Sequence, residues 1–215
     1  LQDRATEAAD RYAARLRANE VYNAAALIVD VPTGEVLAYV GNLGTAGARH
    51  AGDVDIIRAR RSTGSVLKPF LYADMLQSGE LTPDMLLSDV PTRYGNFTPR
   101  NYDEQYSGAV PASGALARSL NVPMVRLLHQ YGVERTLRTL RGMGLHSIDR
   151  SAEDYGLSLV VGGAESTLWE LAGAYAGMGR VLNHYGRMGL PYRQGDIRPP
   201  HVLLQKTRPS DPIAP

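Results

Sequence analysis

The chain contains no cysteine, which excludes disulfide scaffolds, thiolate zinc sites and thiol catalysis. It also lacks a long apolar run: the richest stretch, Ala24 to Val31, is interrupted by Asp30. No membrane span is therefore expected, and no signal peptide is visible. Charge of one sign is missing too. The 23 basic and 22 acidic residues leave a net charge of +1, too balanced for the electrostatic footprint of a nucleic-acid or anionic-membrane binder. Lysine is scarce: of the 23 basic residues only Lys68 and Lys206 are lysines. Arginine cannot stand in where a lysine has to lose its proton, so the position of each lysine matters. What is present, 215 residues that are 44% hydrophobic and 21% charged, suffices for one globular domain with a real core.

Several site types are disfavoured by spacing. His50, His129, His146, His184 and His201 show no metal-ligand spacing, so no metal centre is expected. Gly41 to Gly47 (GNLGTAG) follows an apolar run but has the wrong glycine spacing for a dinucleotide loop, and no cofactor is expected. A G-x-S-x-G elbow is missing, which leaves serine–histidine catalysis without a local signature. Lysine remains as a candidate base.

Apolar periodicity predicts an α+β chain. Ala5, Ala8, Ala9, Tyr12, Ala13 and Leu16 recur at helical spacing with an alanine-rich face suited to close packing. AAALIVDV and EVLAYV around Pro32-Thr33-Gly34 read as an antiparallel hairpin. A helix is expected from Val66 to Leu76 with Gly79 at its end, then a Pro/Tyr/Asn-rich loop from Asp89 to Gly108. Short helices follow over Pro111–Leu120, Pro123–Tyr131 and Val133–Arg141 as a small helical subdomain. A last helix runs from Thr167 to about Leu182, opened by Thr167 and Glu170 as a capping box. No repeat or linker divides the chain, which reads as one unit with two sub-parts.

Two short patterns carry chemistry. In Arg61-Ser-Thr-Gly-Ser65-Val-Leu-Lys68-Pro69, Ser65 and Lys68 stand three apart, so on a helix their side chains share a face and an amine can reach a hydroxyl. Ser62 or Thr63 can cap that helix, which puts Ser65 in its first turn, where free N–H groups favour a developing oxyanion. Pro69 breaks the local rules for a continuing helix, a common mark of a functional site; the alternative is a proline tolerated near a helix start beside a snorkelling surface lysine. Ser119 and Asn121 flank a break forced by Val122-Pro123 and can both face a cleft.

With these residues in view, the chain resembles the transpeptidase domain of class A penicillin-binding proteins, nearest the 1C type. The likeness runs through NAAALIVDVPTGEVLAYVGN, RRSTGSVLKPFLYADML, FTPRNYDEQYSGAVPASGALARSLNVPMVRLL and YGLSLVVGGAESTLWELAGAYAGM. It implies an antiparallel sheet packed with helices plus an all-helical subdomain, meeting at a cleft. It further implies that Ser65 is the acylated nucleophile, Lys68 the general base, Ser119 a proton relay, and Asn121 a clamp on the substrate amide and on Lys68. The implied activity is D,D-transpeptidation of peptidoglycan stem peptides on the outer side of the cytoplasmic membrane, with β-lactams trapping Ser65. Rival expectations are a carboxypeptidase or β-lactamase using water, and a non-catalytic penicillin sensor or scaffold.

One element departs from the family pattern. A K-T/S-G strand is expected opposite the serine, whereas the later lysine gives Lys206-Thr207-Arg208 in a polar, proline-rich tail. Residues 1–215 are thus expected to form a partial transpeptidase domain, with the glycosyltransferase domain and membrane anchor of the family outside this chain. Arg58, Arg60 and Arg61 read as a solvated face, and Tyr94, Phe97, Tyr102 and Tyr106 as packing for a long loop.

Overall fold

A computed structural model of the chain describes residues 1–188, 193 and 195–202. In chain order the elements begin with α1 (Gln2–Arg17), β1 (Ala26–Val29), β2 (Val36–Val40), β3 (Arg61–Ser62), α2 (Lys68–Gln77), β4 (Leu86–Asp89) and β5 (Gly108–Pro111). They continue with α3 (Ala112–Ala117), α4 (Asn121–Tyr131), α5 (Val133–Gly142), α6 (Ala152–Tyr155), β6 (Glu165–Ser166) and α7 (Leu168–Met188). The chain divides into two compact units. One comprises residues 1–61, 143–147 and 166–215, the other 62–142 and 148–165. Among the described residues no helix is long and apolar enough to cross a membrane.

In the first unit β1 and β2 pair antiparallel, with Ala26 opposite Val40 and Ile28 opposite Ala38. The turn between them is held by Asp30, whose Oδ2 accepts from Thr33 N at 2.9 Å and from Thr33 Oγ1 at 2.6 Å. The alanine face of α1 packs as the spacing predicts: Ala13 is buried with Leu43 and Ala46. The Gln2 amide closes the outer edge of β2, donating to Tyr39 O and accepting from Tyr39 N, which satisfies an edge that would otherwise pair elsewhere. On α7, Gly173, Gly177 and Gly179 leave room for Pro200, Ile197 and Val31, which would lie 2.9 Å from an added Cβ in each case. Arg180 is buried beside them and donates to Val31 O, Asp196 O and Arg198 O.

Glu170 corrects one expectation. Thr167 Oγ1 accepts from Glu170 N at 3.1 Å, but the Glu170 carboxylate turns to Ser147 N and Ser166 Oγ instead of returning to the helix start. Only half of the capping box forms, because two other donors lie within its reach.

The second unit is built around α4. Its buried Val122, Met124, Val125, Leu127 and Leu128 pack on α2, α3, α5 and the short 3₁₀ helix formed by residues 156–161, with Phe70, Leu71, Met75, Leu137, Leu140 and Leu159 completing the core. The helical subdomain thus forms, with two additions that periodicity did not announce. Strands β4 and β5 pair antiparallel, Leu86 opposite Pro111 and Asp89 opposite Gly108. Residues 108–111 are therefore strand, and the helix expected from Pro111 to Leu120 shrinks to α3. Four-residue strands are too short for alternation to declare them.

Gly163 lets residues 162–164 lie against residue 158: an added Cβ would sit 1.9 Å from Ser158 Oγ and 2.9 Å from Ser158 C. Gly142, the last residue of α5, has open space around it. We expect Gly163→Ala to lose ~1–3 kcal/mol of stability in chemical denaturation, and Gly142→Ala to lose none. Equal effects would contradict the packing described for residues 158–164.

Candidate functional site

Ser65, Lys68, Ser119 and Asn121 all lie in the second unit. The chain enters the site through residues 62–64, which are tied to residues 162–164. Thr63 N and Thr63 Oγ1 both donate to Ala164 O, at 2.9 and 3.1 Å. Ser62 Oγ donates to Gly162 O at 2.8 Å and accepts from Gly64 N. These side chains anchor the turn and do not cap α2, whose N-cap is Leu67 without a side-chain bond. Gly64 takes φ +51, a left-handed conformation that glycine adopts without strain.

Ser65 is half-buried in the turn that leads into α2, not inside the helix as its spacing suggested. Pro69 explains the later start. It sits in the first turn of α2, where its missing N–H costs nothing and its fixed φ suits a helix start. The oddity read from the sequence is thus resolved by where the helix begins. Lys68 N donates to Ser65 O at 3.2 Å, closing a three-residue turn in which side chains at i and i+3 eclipse. Ser65 and Lys68 thus stand one turn apart, linked here through the backbone of this tighter turn. Among the described residues the Ser65 N–H meets no acceptor.

Lys68 is 1% exposed. Its Nζ donates to Ser119 O at 2.7 Å, to Asn121 Oδ1 at 2.7 Å and to Ser119 Oγ at 3.2 Å; the Ser65 hydroxyl is not among its partners. All three acceptors are neutral oxygens. Burial without a countercharge disfavours the ammonium, and the lysine is pushed down from 10.5 to about 8.

The bend that supplies those oxygens is built by local rules with one exception. At the end of α3, Ser119 N donates to Leu116 O and Leu120 N to Ala115 O, the paired bonds of a Schellman motif. Its left-handed position usually belongs to glycine, yet Ser119 occupies it with φ +54, which aims its carbonyl and its hydroxyl at one amine. Asn121 is the first residue of α4. Its Nδ2 donates to Arg100 O at 2.8 Å, and that bond turns Oδ1 toward Lys68.

The structure therefore brings Lys68, Ser119 and Asn121 into direct contact, with Ser65 one turn before the lysine. Sequence reasoning missed the loop residues Arg100 and Asn101 that hold Asn121; their signal was an Arg-Asn pair inside a loop read as Pro/Tyr/Asn-rich. The packing expected of the loop aromatics holds for Tyr94, whose ring meets that of His129 at a tilt with centroids 4.7 Å apart, but not for Tyr102, which is fully exposed to solvent. Lys206-Thr207-Arg208 lies outside the described residues.

The family model described as the penicillin binding protein transpeptidase domain matches residues 24–181. Penicillin-binding protein 1C of Escherichia coli K12 is 38% identical over 180 residues, covering 84% of this chain and 23% of that protein. Penicillin-binding protein 1F of Bacillus subtilis 168 is 37% identical over 122 residues, or 55% of this chain and 16% of that protein. Among solved structures, penicillin-binding protein 1A of Haemophilus influenzae superposes with a TM-score of 0.62 at 25% identity, over 74% of this chain and 23% of that one. PonA1 of Mycobacterium tuberculosis in complex with penicillin V gives 0.63 at 22% identity, over 80% of this chain and 49% of that one. The chain spans under a quarter of the length of the curated relatives it matches.

The left-handed Ser119 generates a prediction. Ser119→Ala and Ser119→Gly both remove the hydroxyl, but only glycine relieves the backbone. Ser119→Gly should be the more stable of the two by ~1 kcal/mol in urea unfolding; equal stabilities would contradict the positive φ.

Proposed function

Because the chain belongs to the family of penicillin-binding protein transpeptidase domains, with class A members as its relatives, we propose that its second unit holds the acyl-transfer centre of a peptidoglycan D,D-transpeptidase. Ser65 is the nucleophile, Lys68 the base, Ser119 a proton relay and Asn121 a clamp. The observation that carries this reading is the Lys68 amine, buried among neutral oxygens one turn after Ser65.

A neutral lysine has two N–H donors and one lone pair. Ser119 O and Asn121 Oδ1 serve as acceptors here, each 2.7 Å from Nζ, so they engage both N–H groups. The lone pair is then left for hydroxyls, of which Ser119 Oγ stands at 3.2 Å and Ser65 one turn away.

In the proposed reaction Ser65 Oγ attacks the carbonyl carbon of the terminal D-Ala-D-Ala bond and its proton passes to Lys68 Nζ. The Ser65 N–H supplies one donor to the oxyanion. As the C–N bond breaks, the proton returns from Lys68 through Ser119 Oγ to the departing D-alanine amine. An amine of a neighbouring stem peptide then attacks the acyl ester and gives its proton to Lys68, and Ser65 Oγ leaves protonated. Splitting the exchange into two steps is the gain of covalent catalysis. The second N–H of the Asn121 amide, beyond the one given to Arg100 O, remains to meet a substrate carbonyl. In a β-lactam the broken C–N bond belongs to a ring, so the leaving nitrogen stays tethered and the Ser65 ester persists. Such cross-linking places the site outside the cytoplasmic membrane.

Fluorescent penicillin should label the protein at Ser65 and leave Ser65→Ala unlabelled. Lys68→Arg should label at least ~100-fold more slowly, since a guanidinium cannot act as a base. Wild-type labelling of Ser65→Ala would overturn the assignment. With a D-Ala-D-Ala peptide and an amine acceptor, an amide product supports transpeptidation; hydrolysis alone points to a carboxypeptidase, and labelling without turnover to a sensor.

A further inference from the structure

The loop between β4 and β5 sends no side chain to the Lys68 amine, yet it holds the residue that carries one of that amine's acceptors, Asn121 Oδ1. A helix start leaves N–H groups without partners, and the residue preceding the helix usually caps them with its own side chain. Ahead of α4 that residue is Leu120, which cannot. Asn101 does so from 20 residues away: its Oδ1 accepts from Asn121 N at 2.9 Å and from Val122 N at 3.2 Å.

The Asn101 side chain is itself fixed. Asn101 is 3% exposed, and its Nδ2 donates to Asp89 Oδ1 and to Gln105 O, each at 2.8 Å. Asp89, fully buried at the end of β4, accepts from Ser107 N through its other oxygen at 2.9 Å. Both ends of the Asn101 amide are thus engaged, and the carboxylate allows only one orientation of it. The neighbouring Arg100 O accepts from Asn121 Nδ2. Two consecutive loop residues therefore hold Asn121 from both sides, one by its backbone and one by its amide.

We propose that Asn101, oriented by Asp89, is a positioning residue that holds the bend of residues 119–121 closed over the Lys68 amine. It touches neither the nucleophile nor the amine. The charged groups on the bend and loop are Arg118, which donates to Ser107 Oγ, Arg93, which donates to Gly95 O, Arg100 and Glu104, which pair with each other at the surface, and Asp103, which accepts from Gln105 N; Asp89 lies at the end of β4. The partners of Lys68 itself remain neutral oxygens. This role rests on the acyl-transfer reading only for its consequence in catalysis; the placement of the amine can be read without any substrate.

With only two lysines in the sequence, isotopic labelling of lysine gives two titrating NMR signals, and Lys206→Arg leaves that of Lys68 alone. In the otherwise unchanged chain Lys68 should titrate near 8. Asn101→Ala frees the bend and admits water beside the amine, so the midpoint should rise by ~1 unit, while penicillin acylation slows about tenfold or more with its non-covalent binding unchanged. A midpoint equal to or below that of the parent chain, even with a lower melting temperature, would reduce Asn101 to a structural cap and overturn the proposal. Should Asn101→Ala fail to fold, Asp89→Asn, which sets an NH₂ against Ser107 N–H, is read by the same criteria. A raised midpoint in a protein that never labels at Ser65 would support the positioning role and sink the acyl-transfer reading.

Discussion

The site depends on a lysine amine that has been taken out of water and given only neutral oxygens in exchange. An ordinary lysine keeps its proton far above neutrality and offers no lone pair. Burial of Lys68 lowers its proton affinity to about 8, so that a usable fraction is neutral near physiological pH. The same shift weakens the fold. Because the folded state holds the proton less tightly than the unfolded chain, this lysine costs ~3 kcal/mol below pH 8, and the cost fades as pH rises from there toward 10.5. Such a penalty is consistent with the role of base proposed for Lys68.

The surroundings are arranged to hold that amine in place. Pro69 fixes where α2 begins, and the turn before it keeps Ser65 next to Lys68. At the far side a Schellman motif ends α3 with a serine where glycine would be easier. The left-handed backbone presents Ser119 O and Ser119 Oγ to one nitrogen, so the strain is spent on aiming two acceptors from a single residue. Neither α2 nor α4 has a side-chain cap from its own N-cap residue. Residues 162–164 anchor the entry to α2, and Asn101 holds the start of α4, so both halves of the site are positioned by chain segments distant in sequence.

Much of this was legible in the sequence. The three-residue interval from Ser65 to Lys68 and the proline-marked break around Ser119 and Asn121 pointed to the residues that the fold gathers, and apolar periodicity located α1, α2, α4, α5 and α7. The start of α2 was misplaced because Pro69 was taken as a break within a helix when it marks the beginning. Glu170 was assigned to its own helix, although tertiary donors outcompete the local one. The Asp89–Asn101 tether left no local trace, since it joins a strand end, a loop and a helix start. Strands β4 and β5 were hidden by their shortness, and such pairing is fixed by register across a loop, not by pattern within a run.

The most direct measurement is the pH dependence of the rate at which a β-lactam acylates Ser65. A neutral Lys68 acting as base requires the rate to rise about tenfold per pH unit below a single midpoint near 8, where the lysine loses its proton, and to level off above it. A rate that is flat across that range, or that keeps climbing to a midpoint near the ordinary lysine value of 10.5, would contradict the claim that burial has prepared this amine to take the serine proton.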